Sequence, residues 1–94
     1  MAQNTTVTVP AKTWTQLTDG NVTAITFQNV GSEPVHIKMT ATATAPTDIS
    51  GSLVYAPRQG ERNVALADLA PGVASAARVY AWASAAAKVM VSNA

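Results

Sequence analysis

The sequence has no cysteine, a single histidine, 5% aromatic residues and 12% charged residues with a formal net charge of +1 at pH 7. Each shortage removes a class of explanation. Without Cys there is no disulfide framework to staple a small fold and no thiolate set for a structural metal. The six basic residues, Lys12, Lys38, Arg58, Arg62, Arg78 and Lys88, are scattered along the chain. Neutralising several phosphates takes a basic patch, so no nucleic acid partner is expected. No apolar run approaches the ~18 residues of a membrane span, and no membrane partner is expected either. The opening MAQNTTVTVPAK shows neither the basic region nor the apolar region of a secretory signal. Together with the missing Cys, this reads as synthesis in a reducing cytoplasm.

What is present is small and apolar. Ninety-four residues make a single domain, 1–94. The hydrophobic fraction is 48%, but 19 of those residues are Ala and 11 are Val. Ala buries little area, and burial yields roughly 25 cal/mol per Å². A core of Ala and Val would be thin, and a thin core in so small a domain predicts burial against other subunits.

The clearest structure is expected at Asn21–Thr44. Thr23, Ile25 and Phe27 share one face of a first run; Val35, Ile37, Met39, Ala41 and Ala43 share one face of a second. Between them, Asn29 to Pro34 holds the Gly, Asn and Pro of a chain reversal. Alternation of this kind marks strands with one covered face. The stretch therefore reads as a core hairpin built on Ile25, Phe27, Val35, Ile37 and Met39.

Shorter strands are expected around it. Thr5–Val9 alternates and stops at Pro10, as an edge strand or an extended arm would. Residues 1–12 are read as a flexible arm, with Met1 to Asn4 loose. Thr13–Leu17 and Ser52–Ala56 are short runs, and Asn63–Leu69 alternates without a firm register. Arg58–Asn63, the most charged stretch, reads as an exposed loop. Val73–Val91 admits two readings. Its Ala content favours helix, whereas the long–short alternation of Arg78–Ala83 and Lys88–Ser92 favours two strands. About eight short strands with turn signals between them give an all-β fold: a single small antiparallel β-sandwich or jelly roll.

No residue set reaches the standard of an active site, so no catalytic residue, no metal and no cofactor is expected. His36 stands between Val35 and Ile37 with no visible nucleophile or carboxylate beside it. Asp19, Glu33, Asp48, Glu61 and Asp68 all fall at or near turns, where acids commonly serve the backbone. Trp14, Tyr55, Tyr80 and Trp82 suit a sugar-stacking face, but are more often core or interface anchors. The Arg58–Arg62 stretch reads equally as a solvated turn or as a docking loop pairing with carboxylates of a partner.

The phrases TWTQLTDGNVTAITFQNVGSEPVHIK (13–38), APTDISG (45–51), QGERN (59–63) and RVYAW (78–82) resemble small β-sandwich proteins encoded among bacteriophage head and tail genes. The likeness covers Thr13 to Val91. It implies a non-enzymatic virion protein that decorates the capsid surface as cement, made in the cytoplasm of a bacterial host. The implied partners are the major capsid protein and further copies of this chain, with a trimer favoured. The expected contact elements are Asn4, Thr5, Thr6 and Val7 in the arm, and Arg58, Glu61 and Arg62 in the charged stretch. The alternative is a tail-fibre or tail-tip module binding host glycans through the aromatic residues.

Overall fold

A computed structural model describes residues 2–93; Met1, expected at the start of the arm, lies outside the described residues. Eight strands and one helical turn follow in order: β1 (Gln3–Val9), β2 (Thr15–Gln16), β3 (Ala24–Asn29), β4 (Val35–Thr40), β5 (Leu53–Tyr55), β6 (Gly60–Ala65), α1 (Leu66–Leu69), β7 (Arg78–Trp82) and β8 (Ala87–Asn93). They form two four-stranded antiparallel sheets, ordered β1-β8-β3-β6 and β2-β7-β4-β5. β1 pairs with β8, β2 with β7, β3 with β6 and β4 with β5, so the chain runs out to the β4–β5 connection and returns along itself. Successive pairs alternate between the sheets, which is the wrapping of a jelly roll.

This wrapping corrects the expected hairpin. β3 and β4 lie in different sheets and do not pair. Alternation specifies which side of each strand is buried, not which strand lies beside it. Ile25 and Phe27 on β3 are buried, as are Val35, Ile37 and Met39 on β4. In a hairpin those residues would share one face and need a third element to cover it. On opposite sheets the two apolar faces cover each other. Thr23, Ala41 and Ala43, expected on the same faces, lie outside the strands and are exposed.

Asn29 makes the corner between the sheets. It is fully buried, and its Nδ2 donates to Glu33 O at 2.7 Å and to Tyr55 O at 3.1 Å. Its Oδ1 accepts from Gly31 N at 3.1 Å. A buried amide is tolerable when its polar atoms are satisfied, and these bonds hold the chain as it leaves one sheet for the other. Gly31 lets the chain pass close to the neighbouring strand, where a Cβ would stand 3.0 Å from Lys88 N.

Among the described residues, Val and Ala, as expected, supply nine of the seventeen buried apolar residues of the core, though six of the nine are Val. Of the Ala residues, those buried in it are Ala81, Ala83 and Ala87; the rest of the buried set is mainly Val, Leu, Ile, Phe, Met and Tyr. Most Ala residues stand in exposed or half-buried positions such as Ala41, Ala43, Ala74, Ala85 and Ala86. Val, with Leu17, Ile25, Phe27, Ile37, Met39, Tyr55 and Leu66, therefore carries most of the buried volume, and Ala little of it.

Three local expectations also change. Of the two readings of Thr5–Val9 the edge strand holds: residues 3–9 of the expected flexible arm form β1, paired along its whole length with β8 from Gln3↔Asn93 to Val9↔Ala87. The β-branched Val7 and Val9 reach Val89 and Ala87, so this segment has apolar surface to bury after all. The charged stretch is only in part a loop, because Gly60, Glu61, Arg62 and Asn63 belong to β6. Asn63–Leu69 does not continue as a strand: after Ala65 the chain makes one helical turn that buries Leu66. Val73–Val91, by contrast, holds the two strands favoured by its alternation, β7 and the greater part of β8.

Candidate functional site

The two expected contact elements lie at opposite edges of one sheet, with β8 and β3 between them. At about 4.8 Å per strand step they stand ~14 Å apart in the plane of the sheet. They form two sites, and each must be considered by itself.

The first is the outer side of β1. Val30 N donates to Lys88 O at 3.0 Å, so Lys88 directs its main-chain groups toward β3. Main-chain direction alternates along a strand; Val89 and Val91 therefore serve β1, where they lie opposite Val7 and Thr5. It follows that Asn4, Thr6 and Thr8 turn their N–H and C=O groups away from β8, to the open edge. All three are exposed. Of the other expected contact residues, Thr5 is exposed and Val7 half-buried. Gln3 anchors the start of the strand, donating from Nε2 to Leu17 O at 2.7 Å and to Asn93 Oδ1 at 2.9 Å.

The second surrounds Arg58 and Arg62. Arg58 sits in the turn between β5 and β6 with φ +75°. Its N–H donates to Asn29 O at 2.7 Å and its carbonyl accepts from Gln28 Nε2 at 2.9 Å. Arg58 and Arg62 border an open depression with Thr26, Gln28, Gly60 and Met90. Among the described residues the ion pair is Lys38–Asp48, at 3.4 Å, so neither arginine is held by a carboxylate. Glu61 is directed elsewhere. It lies opposite Phe27 and accepts a hydrogen bond from the Tyr55 hydroxyl at 3.1 Å. Burial, reinforced by Glu61, pushes the Tyr55 phenol up to about 12. Glu61 thus caps the end of the core beside the Phe27–Tyr55 ring pair, whose centroids are 4.9 Å apart.

Sequence reasoning left His36 without a partner, and here the structure supplies one. His36 Nδ1 lies 2.9 Å from Ser52 Oγ, and the ring meets Trp82 edge-on at 5.4 Å. Ser52 was not singled out because it stands 16 positions away; the β4–β5 pairing brings it close. The pairing has the residue types of a nucleophile and base, but the hydroxyl also has a main-chain acceptor in reach. Ser52 Oγ donates to Ile49 O at 2.7 Å. With that proton directed at Ile49 O, His36 Nδ1 would be the donor to the hydroxyl; the direction of the His36–Ser52 bond follows the imidazole tautomer. The arrangement closes the turn before β5. The carboxylates are dispersed, and no group of three or more possible metal ligands occurs among the described residues.

The aromatic residues do not make a common platform. Tyr55 is in the core and Tyr80 is buried, its hydroxyl 2.8 Å from Ala43 O in the loop that crosses it. Trp14 and Trp82 are half-buried. Comparison of the chain with protein-family models, curated proteins and solved structures returned no match.

Proposed function

We propose that this protein is a non-enzymatic structural component of a bacteriophage particle that sits on the capsid surface and stabilises it, with β1 as the edge through which it is joined to a neighbouring strand. The major capsid protein and further copies of this chain are its partners in that reading. One observation carries the joining role: β1 offers seven residues of edge, uncharged and unbroken by Pro or a bulge. Sheet edges are ordinarily blunted, because an open row of N–H and C=O groups accepts another strand. A subunit that bridges its neighbours binds only the assembled shell, and whatever binds one state alone stabilises that state.

The virion setting rests on the sequence resemblance and on a fold-level analogy, since capsid domains are among the users of jelly rolls. The glycan-binding alternative has less support, because Tyr55 and Tyr80 are withdrawn from solvent.

The test is to purify particles carrying the protein and count copies. Many copies per particle are expected on a head, few on a tail. Particles assembled with Thr6→Pro, which removes a donor from the open edge, should lose the protein. Full occupancy with that variant would remove β1 from the contact.

A further inference from the structure

The four sheet edges are unequal. β2 has two residues and β5 three, too short to hold another strand in register. β6 is interrupted: Ile25 faces Val64 and Phe27 faces Glu61, so Arg62 and Asn63 together oppose Thr26. Asn63 adopts φ +46° there, and its N–H is taken by Thr26 Oγ1 at 2.8 Å. β6 also carries the charges of Glu61 and Arg62. Short strands, bulges and charge are the recognised ways of blocking edge-to-edge pairing. Among the described residues, β1 is the one long edge that carries none of them.

Resting on the reading of β1 as a joining edge, we propose that its partner is β1 of a second copy, paired antiparallel about a two-fold axis at Thr6. A two-fold contact sets each residue against itself or its mirror position, so any charge near the axis meets a like charge. Gln3–Val9 contains no charge. The outward main-chain groups belong to Asn4, Thr6 and Thr8, spaced evenly about Thr6. Centring the axis there makes Thr6 face Thr6 of the second copy, and Asn4 face Thr8. Each of these pairs exchanges two main-chain hydrogen bonds, and no outward group is left over. A slide of the second copy in either direction leaves some of them unmatched.

The same register matches the side chains. On the outer face Thr meets Thr and Asn meets Thr, all able to hydrogen-bond across strands. On the inner face Thr5 meets Val7 in the close, non-hydrogen-bonded position. Those are the two inward-facing residues of β1's middle that the sandwich leaves incompletely covered, Val7 half-buried and Thr5 exposed. The product is one continuous eight-stranded sheet formed from the β1-β8-β3-β6 sheets of two copies.

Because the chain has no Cys, single introduced thiols report the register. Thr6→Cys should give a disulfide-linked dimer under mild oxidation, since directly opposed residues lie about 5.5 Å apart between Cα atoms, within disulfide reach. Asn4→Cys alone should give no disulfide-linked dimer, its twin lying ~13 Å away along the strand. The double variant Asn4→Cys/Thr8→Cys should cross-link again. Sedimentation of the unaltered chain should show a concentration-dependent dimer, and Thr6→Pro a monomer with an unchanged circular dichroism spectrum. A monomer at every concentration, or Asn4→Cys cross-linking as readily as Thr6→Cys, would overturn the self-pairing. If the chain is monomeric but its binding to particles is lost on Thr6→Pro, the joining edge stands and the second copy is the wrong partner. If binding also survives, both readings fail.

Discussion

The two edges of the first sheet show how one fold treats the same hazard in opposite ways. β1 is smooth, neutral and fully paired on its inner side. β6 is bulged, charged and pressed so closely onto β3 at Gly60 that a side chain there would run into the Phe27 carbonyl oxygen. β6 is also tied into the core through Tyr55–Glu61, whereas β1 meets the core through Val7 and Val9. One edge is finished within the monomer. The other is left with the main-chain groups of Asn4, Thr6 and Thr8 directed outward, and on that difference the proposed joining edge rests.

The largest effect should come from breaking the finished edge. Gly60→Ala places a Cβ against Phe27 O and 2.7 Å from Gln28 Cα, both main-chain atoms that cannot step aside cheaply. A loss of about 3 kcal/mol or more is expected in a denaturant titration. A comparable loss, also about 3 kcal/mol, is expected for Val7→Pro, which removes a ladder donor facing Val89 as well as a core side chain. The neighbouring Thr6→Pro should cost less than about 1 kcal/mol, because its N–H faces the open side. Equal destabilisation by the two proline variants would show that the main-chain directions assigned to β1 are wrong.

A smaller effect should appear at Tyr55. Its phenol is held near 12 in the native protein against about 10 in an unfolded chain. Below pH 10 both states keep the proton and the stabilisation is complete. Between about pH 10 and 12 the unfolded chain releases it first, so stability should fall as pH rises through that window. Tyr55→Phe should cost about 1 kcal/mol at neutral pH and flatten that slope, as read from urea midpoints. The smallest change in stability, within about 0.5 kcal/mol, is expected for Thr6→Lys, which gives β1 the kind of charge that β6 already carries. It should nevertheless abolish dimers in sedimentation, because the two lysines would meet on the axis.

Much of the strand content was legible because alternation is a local property. Val35–Met39, Arg78–Trp82 and Lys88–Val91 each repeat with period two, and each is part of a strand. The charged stretch was harder. Glu61 and Arg62 look alike as solvated residues, yet the bulge at Arg62–Asn63 leaves Arg62 exposed while Glu61 faces Tyr55. That bulge depends on the register between β3 and β6, which short-range pattern does not contain. Ser52 was missed as a neighbour of His36 for the same reason.

By itself the sequence determined which residues turn inward on the long strands, since burying one face of a pleated strand requires apolar residues at every second position. It also determined that β1 would be uncharged. Tertiary structure decided the rest: β3 and β4 face each other across the core instead of lying side by side, because two apolar faces are best covered by one another. It also decided that Gln3–Val9 would lie at the rim with one side paired and the other open, since the order of strands is set by the wrapping of the whole chain.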